Sequence, residues 1–216
     1  SLDSSQVEFS ETLLDDSETD KIFLDWGNHL NYDPEFSQRV DTYSYPFAAE
    51  NRKLLNIHYS KKKRNAIIDA VKNSEYEIRF LSIGIFSAEQ GARFWFNAEK
   101  LNSYLIWRIG SYHQNQVLFI RDGKMISLFM FKRLENTYIL HNFYGSRILT
   151  DELFSQLETC QDYNLSNLDI PDKIFIYSGI GAASEINKYT QSNNDKVCHL
   201  NPLEKIKFNI EIKSGL

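Results

Sequence analysis

Hydrophobic and polar positions alternate regularly in the middle of the chain, and the pattern predicts two strands and two helices. Residues 54–59 are expected to form a strand, and Ser60 to cap the helix that follows. The inner face of this helix should carry Ile67, Ile68 and Val71. A second strand is predicted at 78–83, and Ser87 with Gln90 forms a capping box for a second helix. The order strand, helix, strand, helix predicts two parallel strands joined by a right-handed crossover.

The second half of the chain has the pattern of three antiparallel strands followed by alternating helices and strands. The three strands are predicted at 104–109, 115–121 and 124–132. Asp122-Gly123 lies between the last two and is the strongest short hairpin signal in the sequence. The remaining predicted elements are a strand at 137–144, a helix from Thr150 or Asp151 to about Cys160, a buried strand at 174–177, a helix at 184–191 and a parallel strand at 197–200.

The first fifty residues are the least regular part of the chain. An acidic run occupies 15–20, where Ser17 and Asp20 resemble a helix N-cap with an acidic first turn. The apolar residues expected on one face of that helix are Ile22, Phe23 and Trp26. A calcium loop is the alternative, but the run lacks the central glycine and the spaced ligands of an EF-hand. Residues 43–47 are expected to form a short strand broken by Pro46.

Composition and charge narrow the classes of protein. A chain of 216 residues, 42% of them hydrophobic, can bury one sizeable core or two small ones. Its net charge of −5 lacks the basic footprint expected of a nucleic-acid-binding protein. No stretch approaches the roughly 18 consecutive apolar residues of a membrane span, and no signal-peptide pattern is present, so a cytoplasmic protein is expected. Cys160 and Cys198 form no C-x-x-C pattern, which is typical of reduced thiols.

Two glycine turns are the candidate ligand sites. Gly179 and Gly181 lie between a predicted strand and a helix, and glycines in that position let a ligand reach bare backbone N–H groups. Gly110 and Ser111 follow the strand predicted at 104–109. A tight strand-to-helix turn without any ligand is the alternative interpretation of Gly179 and Gly181.

Three other kinds of site are disfavoured. Ser184 stands where a dinucleotide fingerprint has its third glycine, and the strands before it form a hairpin instead of a βαβ unit. Ser60 and Lys63 have the spacing of an S-x-x-K nucleophile, but no companion motif accompanies them. The five histidines show no i, i+4 pairing, which argues against a metal site.

Three stretches carry a resemblance of the whole chain, from about Val7 onward, to the PilM-type actin-like proteins of type IV pilus assembly and, more distantly, to the cytoplasmic domain of the type II secretion L protein. Residues 178–181 match the family's adenosine-side glycines, and Arg108-Ile109-Gly110 its second phosphate hairpin. Residues 201–206, Asn-Pro-Leu-Glu-Lys-Ile, resemble the family's Asn-Pro-Phe/Leu-Glu-x-Ile exit and form the most specific match.

The resemblance implies an α/β, actin-like (ribonuclease-H-like) fold of mixed sheets flanked by helices, more complete in its second half than in its first. Residues 1–100 would form a partial first lobe with an inserted subdomain at about 7–50. Residues 101–216 would form the second, ribonuclease-H-like lobe. The family's first phosphate hairpin has no counterpart in 1–53, and its closing helix is also absent, so a degenerate and truncated member is expected.

The departure at Arg108 bears on catalysis. The family's phosphate hairpin begins with an aspartate that helps to hold magnesium, and Arg108 stands in its place. A cation would repel Mg²⁺, while it could contact a phosphate directly. Because phosphoryl transfer depends on positioned phosphates and a metal, the degenerate motif argues against an active ATPase.

The resemblance implies a non-catalytic interaction module, a cytoplasmic scaffold of a pilus or secretion-type envelope machine that is peripheral at the inner membrane. Its partner would be a protein or a peptide tail of an inner-membrane protein, with no cofactor, metal or nucleic acid, and a homo-oligomer is compatible with this function. The aromatic residues expected to anchor the partner are Trp26, Tyr32, Tyr43 and Tyr45. The alternative for these residues is a place in the core.

The alternative function is that of a nucleotide-binding actin-like protein with weak or residual ATPase activity. ATP and Mg²⁺ would be its cofactors. The residues expected to bind the nucleotide are Gly110, Ser111, Gly179 and Gly181.

Overall fold

The computed structural model describes the greater part of the chain. The described residues are 7–13, 39–47, 53–72, 84–110, 114–134, 137–159, 165, 168–169, 171–178, 183–190 and 195–201. They form a mixed α/β structure with two sheets flanked by helices. None of the described helices is long and apolar enough to cross a membrane.

The smaller sheet is antiparallel and comes from the amino-terminal part of the chain. Its strands are β1 (Val7–Leu13), β2 (Val40–Pro46) and β3 (Lys53–Ser60), in the order β1-β3-β2. The strand predicted at 54–59 is thereby confirmed. The parallel neighbour predicted for it is wrong, because β1 and β2 pair antiparallel with both edges of β3 and leave it no free edge. The segment 78–83 lies outside the described residues.

The larger sheet has the strand order β7-β6-β5-β4-β8-β9. Its strands are β4 (Ser103–Ile109), β5 (Gln114–Arg121), β6 (Lys124–Leu134), β7 (Thr137–Gly145), β8 (Lys173–Ser178) and β9 (Val197–His199). Strands β4 to β7 pair antiparallel, and β8 and β9 run parallel to β4. The predicted hairpin is confirmed: Asp122 and Gly123 have φ values of 51° and 71°, as a two-residue turn of type I′ requires.

The helices flank the sheets. They are α1 (Lys61–Lys72), α2 (Gly84–Phe96), α3 (Arg147–Thr159) and α4 (Ala183–Thr190), with a short 3₁₀ helix at Ala98–Lys100. Two predicted helix starts are wrong. Ser87 lies inside α2, which begins at Gly84, and α3 begins one turn before Thr150. The Thr150 hydroxyl donates to the carbonyl of Ser146, a backbone bond that Thr makes within helices.

The inner face predicted for α1 is correct in part. Ile67 packs against the core, but Ile68 is exposed and none of the residues of α1 is fully buried. Helix α1 therefore covers the small sheet only loosely.

The two faces of the larger sheet are covered differently. On the helix-covered face, sheet residues such as Trp107, Phe129 and Phe131 pack against Leu157 of α3 and Tyr189 of α4. On the sheet-covered face, the larger sheet packs against the smaller sheet and α2. The residues of this second cluster include Leu55, Ile57, Ile85, Ala92, Tyr104, Ile106, Leu118 and Leu128.

The sheets are joined where β1 meets β7. The Tyr144 hydroxyl donates to the carbonyl of Phe9 at 3.0 Å, and the Gly145 N–H donates to the Glu11 carboxylate. Gly145 has a φ of 102°, and a Cβ there would lie 2.8 Å from the Phe47 ring. Residues before and after residue 100 thus contribute to the same core cluster. The division of the chain into two lobes at about this point stays a prediction.

Candidate binding pocket

A pocket of about 460 Å³ opens where α2, the end of β2 and the β5–β6 hairpin meet. Its volume lies within the range of about 300–1,000 Å³ that is usual for ligand sites. The residues that line it are Tyr45, Pro46, Phe47, Phe86, Glu89, Gln90, Arg93, Leu118, Ile120, Lys124 and Met125. The pocket therefore lies on the sheet-covered face, at the seam between the small sheet and α2.

The pocket has an apolar base and an aromatic wall. Leu118 and Ile120 come from a central strand of the larger sheet and are almost fully buried. The rings of Tyr45 and Phe86 stack with their centroids 5.3 Å apart and their planes 8° from parallel. Burial raises the pKa of Tyr45, and the neighbouring Tyr43 raises it further, so the phenol stays neutral at physiological pH. Such walls favour apolar or aromatic groups of a ligand.

A charged cluster closes one side of the pocket. The Glu89 carboxylate accepts a hydrogen bond from the Tyr104 hydroxyl at 2.6 Å and another from Arg93 Nε, one helical turn further on. Arg93 Nη2 also donates to the carbonyl of Gly123 at 3.0 Å. Burial raises the pKa of Tyr104, and its hydrogen bond to Glu89 raises it further. The cluster thus fixes helix α2 against the β5–β6 turn.

The described lining residues are mostly apolar or charged. None of them is a serine, threonine, cysteine or histidine. Its one carboxylate, Glu89, is held by Arg93 and Tyr104. What the pocket presents to a ligand is an apolar base, flat aromatic rings and two cationic side chains.

The predicted partner anchors fall into two groups. Tyr45 lines the pocket and is 43% exposed, whereas Tyr43 is 57% exposed and stacks on Tyr59 outside the pocket lining. Trp26 and Tyr32 lie outside the described residues. Of the two described anchors, the structure therefore brings Tyr45 to the pocket and leaves Tyr43 on the adjoining surface.

The predicted nucleotide residues are described at one position. Gly110 lies at the end of β4, and its N–H donates to the carbonyl of Gln114 at 2.7 Å. A Cβ at Gly110 would lie 2.8 Å from that same oxygen, so the hairpin itself requires glycine here. Ser111, Gly179 and Gly181 lie outside the described residues.

Magnesium does not fit the described side chains near this hairpin. Arg108, half-buried on β4, offers N–H donors where Mg²⁺ needs oxygen ligands. In the described part of the chain, three or more His, Cys, Asp or Glu side chains nowhere come together as a metal site would require.

A second polar cluster lies on the small sheet. His58 Nε2 is 2.8 Å from Ser10 Oγ, and Nδ1 is 2.8 Å from Thr42 Oγ1. One residue pair along, Ser44 donates to Asn56, which donates to Thr12. Burial lowers the pKa of His58, an effect that the Glu8 carboxylate partly offsets. These bonds tie the three strands together on a sheet surface that carries none of the pocket-lining residues except Pro46.

Sequence reasoning did not identify most of the pocket. Phe86, Arg93 and Lys124 are distant in sequence from Tyr45, so no local pattern joins them. The one available signal is the spacing of Glu89 and Arg93, because oppositely charged residues four apart pair on a helix surface.

Comparison with known proteins gives little support to any assignment. No protein-family model matches the chain, and no curated protein matches it. Among solved structures, a PilM-PilN type IV pilus biogenesis complex aligns with 93% of this chain and 67% of its own chain, at 10% sequence identity and a TM-score of 0.43. A similarity of this size establishes neither a family nor a function.

Proposed function

We propose that the protein is a non-catalytic interaction module of actin-like architecture that binds a peptide segment of a partner protein. In the cell it is a cytoplasmic scaffold, peripheral at the inner membrane, of a pilus or secretion-type envelope machine. The observation that carries the binding role is the pocket, whose apolar base and aromatic wall lie beside exposed aromatic residues.

The strand order supports the architectural part of the proposal. Strands β6, β5 and β4 are antiparallel, and β8 and β9 continue the sheet parallel to β4. Helices α3 and α4 precede these two parallel strands along the chain. This is the arrangement expected of a ribonuclease-H-like lobe, to which β7 adds one edge strand. The pilus assignment rests on the sequence resemblance of residues 178–181 and 201–206.

The pocket has the features of a peptide anchor site. Affinity in such sites comes from a few aromatic or aliphatic side chains that enter well-packed pockets. Tyr45 and Phe86 form a rigid wall because their rings are stacked, and Phe47, Leu118 and Ile120 fill the space behind it. Tyr43 and Phe94, both more than half exposed, add aromatic surface on neighbouring elements. A peptide side chain in the pocket would therefore displace water from an apolar base.

The same residues support the non-catalytic part of the proposal. The described pocket lining has no serine, cysteine or threonine beside a histidine base, and Arg108 occupies the position at which the resemblance expects a metal-binding acid. Both facts favour a docking role.

The test uses synthetic peptides that represent the cytoplasmic tails of inner-membrane proteins encoded beside this one. Binding to the intact protein is measured by calorimetry, with Tyr45→Ala and Phe86→Ala as pocket variants. One tail is expected to bind, and each variant to weaken it about tenfold or more, as for hot-spot residues. Ile148→Ala is the control, because Ile148 is 81% exposed on α3. Helix α3 covers the opposite face of the larger sheet from the pocket.

Two results would overturn the proposal. One is peptide binding that the pocket variants leave unchanged. The other is the absence of any binding tail together with submillimolar binding of ATP and Mg²⁺ that is lost in Gly179→Val.

A further inference from the structure

We infer that the pocket selects a peptide segment in which an apolar or aromatic side chain is accompanied by an acidic one. This inference rests on the proposed function and adds to it the charge of the partner. The apolar side chain occupies the base of the pocket, and the carboxylate lies against Lys124 and Arg93 at its rim.

The rim carries positive charge that is not neutralised within the pocket. Lys124 is exposed at the start of β6, and no described acidic side chain forms an ion pair with it. Arg93 uses Nε for Glu89 and Nη2 for the Gly123 carbonyl, and its guanidinium also interacts with the Tyr104 hydroxyl. The guanidinium has more N–H donors than these contacts use. Each cation therefore has hydrogen-bond donors left for a ligand carboxylate.

Glu89 does not cancel this preference. Its charge is paired with Arg93, it also accepts from Tyr104, and its side chain is 11% exposed. The described lining residues thus include two cations and one anion, a local charge of +1, on a chain whose net charge is −5. A local positive region on an acidic protein attracts acidic partners and disfavours basic ones.

The apolar part of the pocket sets the second requirement. Leu118 and Ile120 at the base are at most 3% exposed, so a ligand that places a charged group there would lose its hydration without a partner. Met125 lines the pocket directly beside Lys124, so an apolar contact and a cation lie next to each other. A single short segment can reach both.

The experiment selects random short peptides displayed on phage against the intact protein and against Lys124→Glu. The wild-type protein is expected to enrich peptides in which an apolar or aromatic residue stands within a few positions of Asp or Glu. Lys124→Glu should lose the acidic preference, and the affinity of a wild-type consensus peptide should fall about five- to tenfold at low salt. Added salt should shrink this difference, because the rim is exposed.

The matched control is Lys62→Glu, which makes the same charge change on the exposed side of α1, away from the pocket. It should leave the affinity within about twofold of wild type, since distant exposed charges are screened. Equal losses in both variants would mean that net charge alone decides binding, and would overturn the inference.

The remaining outcomes separate the inference from the proposed function. Enriched peptides that need Tyr45 and Phe86 but show no acidic preference would overturn the inference and leave the docking role intact. No enriched consensus on the wild-type protein would overturn both. Self-association that weakens in Lys124→Glu, measured by sedimentation, would instead identify a second copy of the chain as the occupant and also overturn the inference.

Discussion

The two faces of the larger sheet bury similar side chains but are covered in different ways. Two helices, α3 and α4, close the helix-covered face over Trp107, whose ring lies 5.4 Å from Phe131 and 5.1 Å from Tyr189. The opposite face is covered by a second sheet and by α2, and the pocket lies where these two covers meet. Covers of different geometry leave a gap at their seam, and a gap lined by apolar and cationic side chains is where a ligand can bind.

The hydrogen bonds of the buried polar groups also differ between the two faces. On the helix-covered face, the Trp107 indole N–H donates to Asn115 at 2.8 Å, and this bond stays inside the core. On the other face, the hydrogen bonds of Glu89 reach a helix, a strand and, through Arg93, a turn. The first arrangement stabilises a core, whereas the second also positions the walls of a pocket.

The largest expected effect tests whether the helix-covered face is the better packed. Leu157→Ala should lower the free energy of unfolding by about 2–5 kcal/mol, because Leu157 is fully buried and its removal leaves a cavity. Met125→Ala is the matched change on the pocket wall. It should cost less, about 1 kcal/mol, since the space it leaves joins a pocket that is already open. Urea unfolding measures both, and equal losses would contradict the comparison.

The second prediction concerns the junction of the two sheets. Gly145→Ala should cost roughly 2–4 kcal/mol, because the residue has a positive φ and its new Cβ would meet the Ile126 carbonyl and the Phe47 ring. Gly123→Ala has a positive φ as well, but nothing lies within 4 Å of its Cβ. It should cost only about 1 kcal/mol. Thermal unfolding of the two variants separates the steric cost from the conformational cost. A larger loss of stability in Gly123→Ala than in Gly145→Ala would show that the two sheets separate easily at this point.

The third prediction tests the charged cluster at the side of the pocket. Glu89→Gln keeps the shape of the side chain but removes the charge opposite Arg93, and should lower stability by about 1–2 kcal/mol. Tyr104→Phe removes one hydroxyl and leaves the ion pair, so its loss should be smaller, about 1 kcal/mol or less. Urea unfolding at neutral pH is the measurement. A larger loss in Tyr104→Phe would assign the cluster's main role to the phenol.

The smallest expected effect is a pH dependence in the small sheet. Burial lowers the pKa of His58 below its usual value of 6.5, so the folded state binds a proton less readily than the unfolded state. The contribution of neutral His58 to stability is therefore complete above about pH 6.5, the pKa in the unfolded state. It is lost as the pH falls through the lower pKa of the folded state. His58→Gln removes this titration. Relative to His58→Gln, the wild-type protein should therefore lose unfolding free energy as the pH falls from about 7.5 to about 5.

Particular residues show how far sequence reasoning reaches. Asp122 and Gly123 specified their hairpin locally, and the strands on either side were predicted within two residues of their observed ends. The helix start predicted at Thr150 was wrong, because the Thr150 hydroxyl bonds to the Ser146 carbonyl inside α3 and so does not act as the cap that its residue type suggests. Of the predicted site residues, Tyr45 lies in the pocket, while Gly110 is required by its own hairpin.

By itself, the sequence determined the order of the described strands and helices from β3 onward, since alternation, helical spacing and turn residues act over a few neighbours. It did not predict β1. Only the tertiary structure decided which strands pair with β3 and where the pocket forms. Those features join residues far apart along the chain, as Tyr45 and Phe86 are, or Glu89 and Tyr104. Their contacts depend on how the two sheets and α2 pack together, and that packing is a property of the whole core that no local pattern contains.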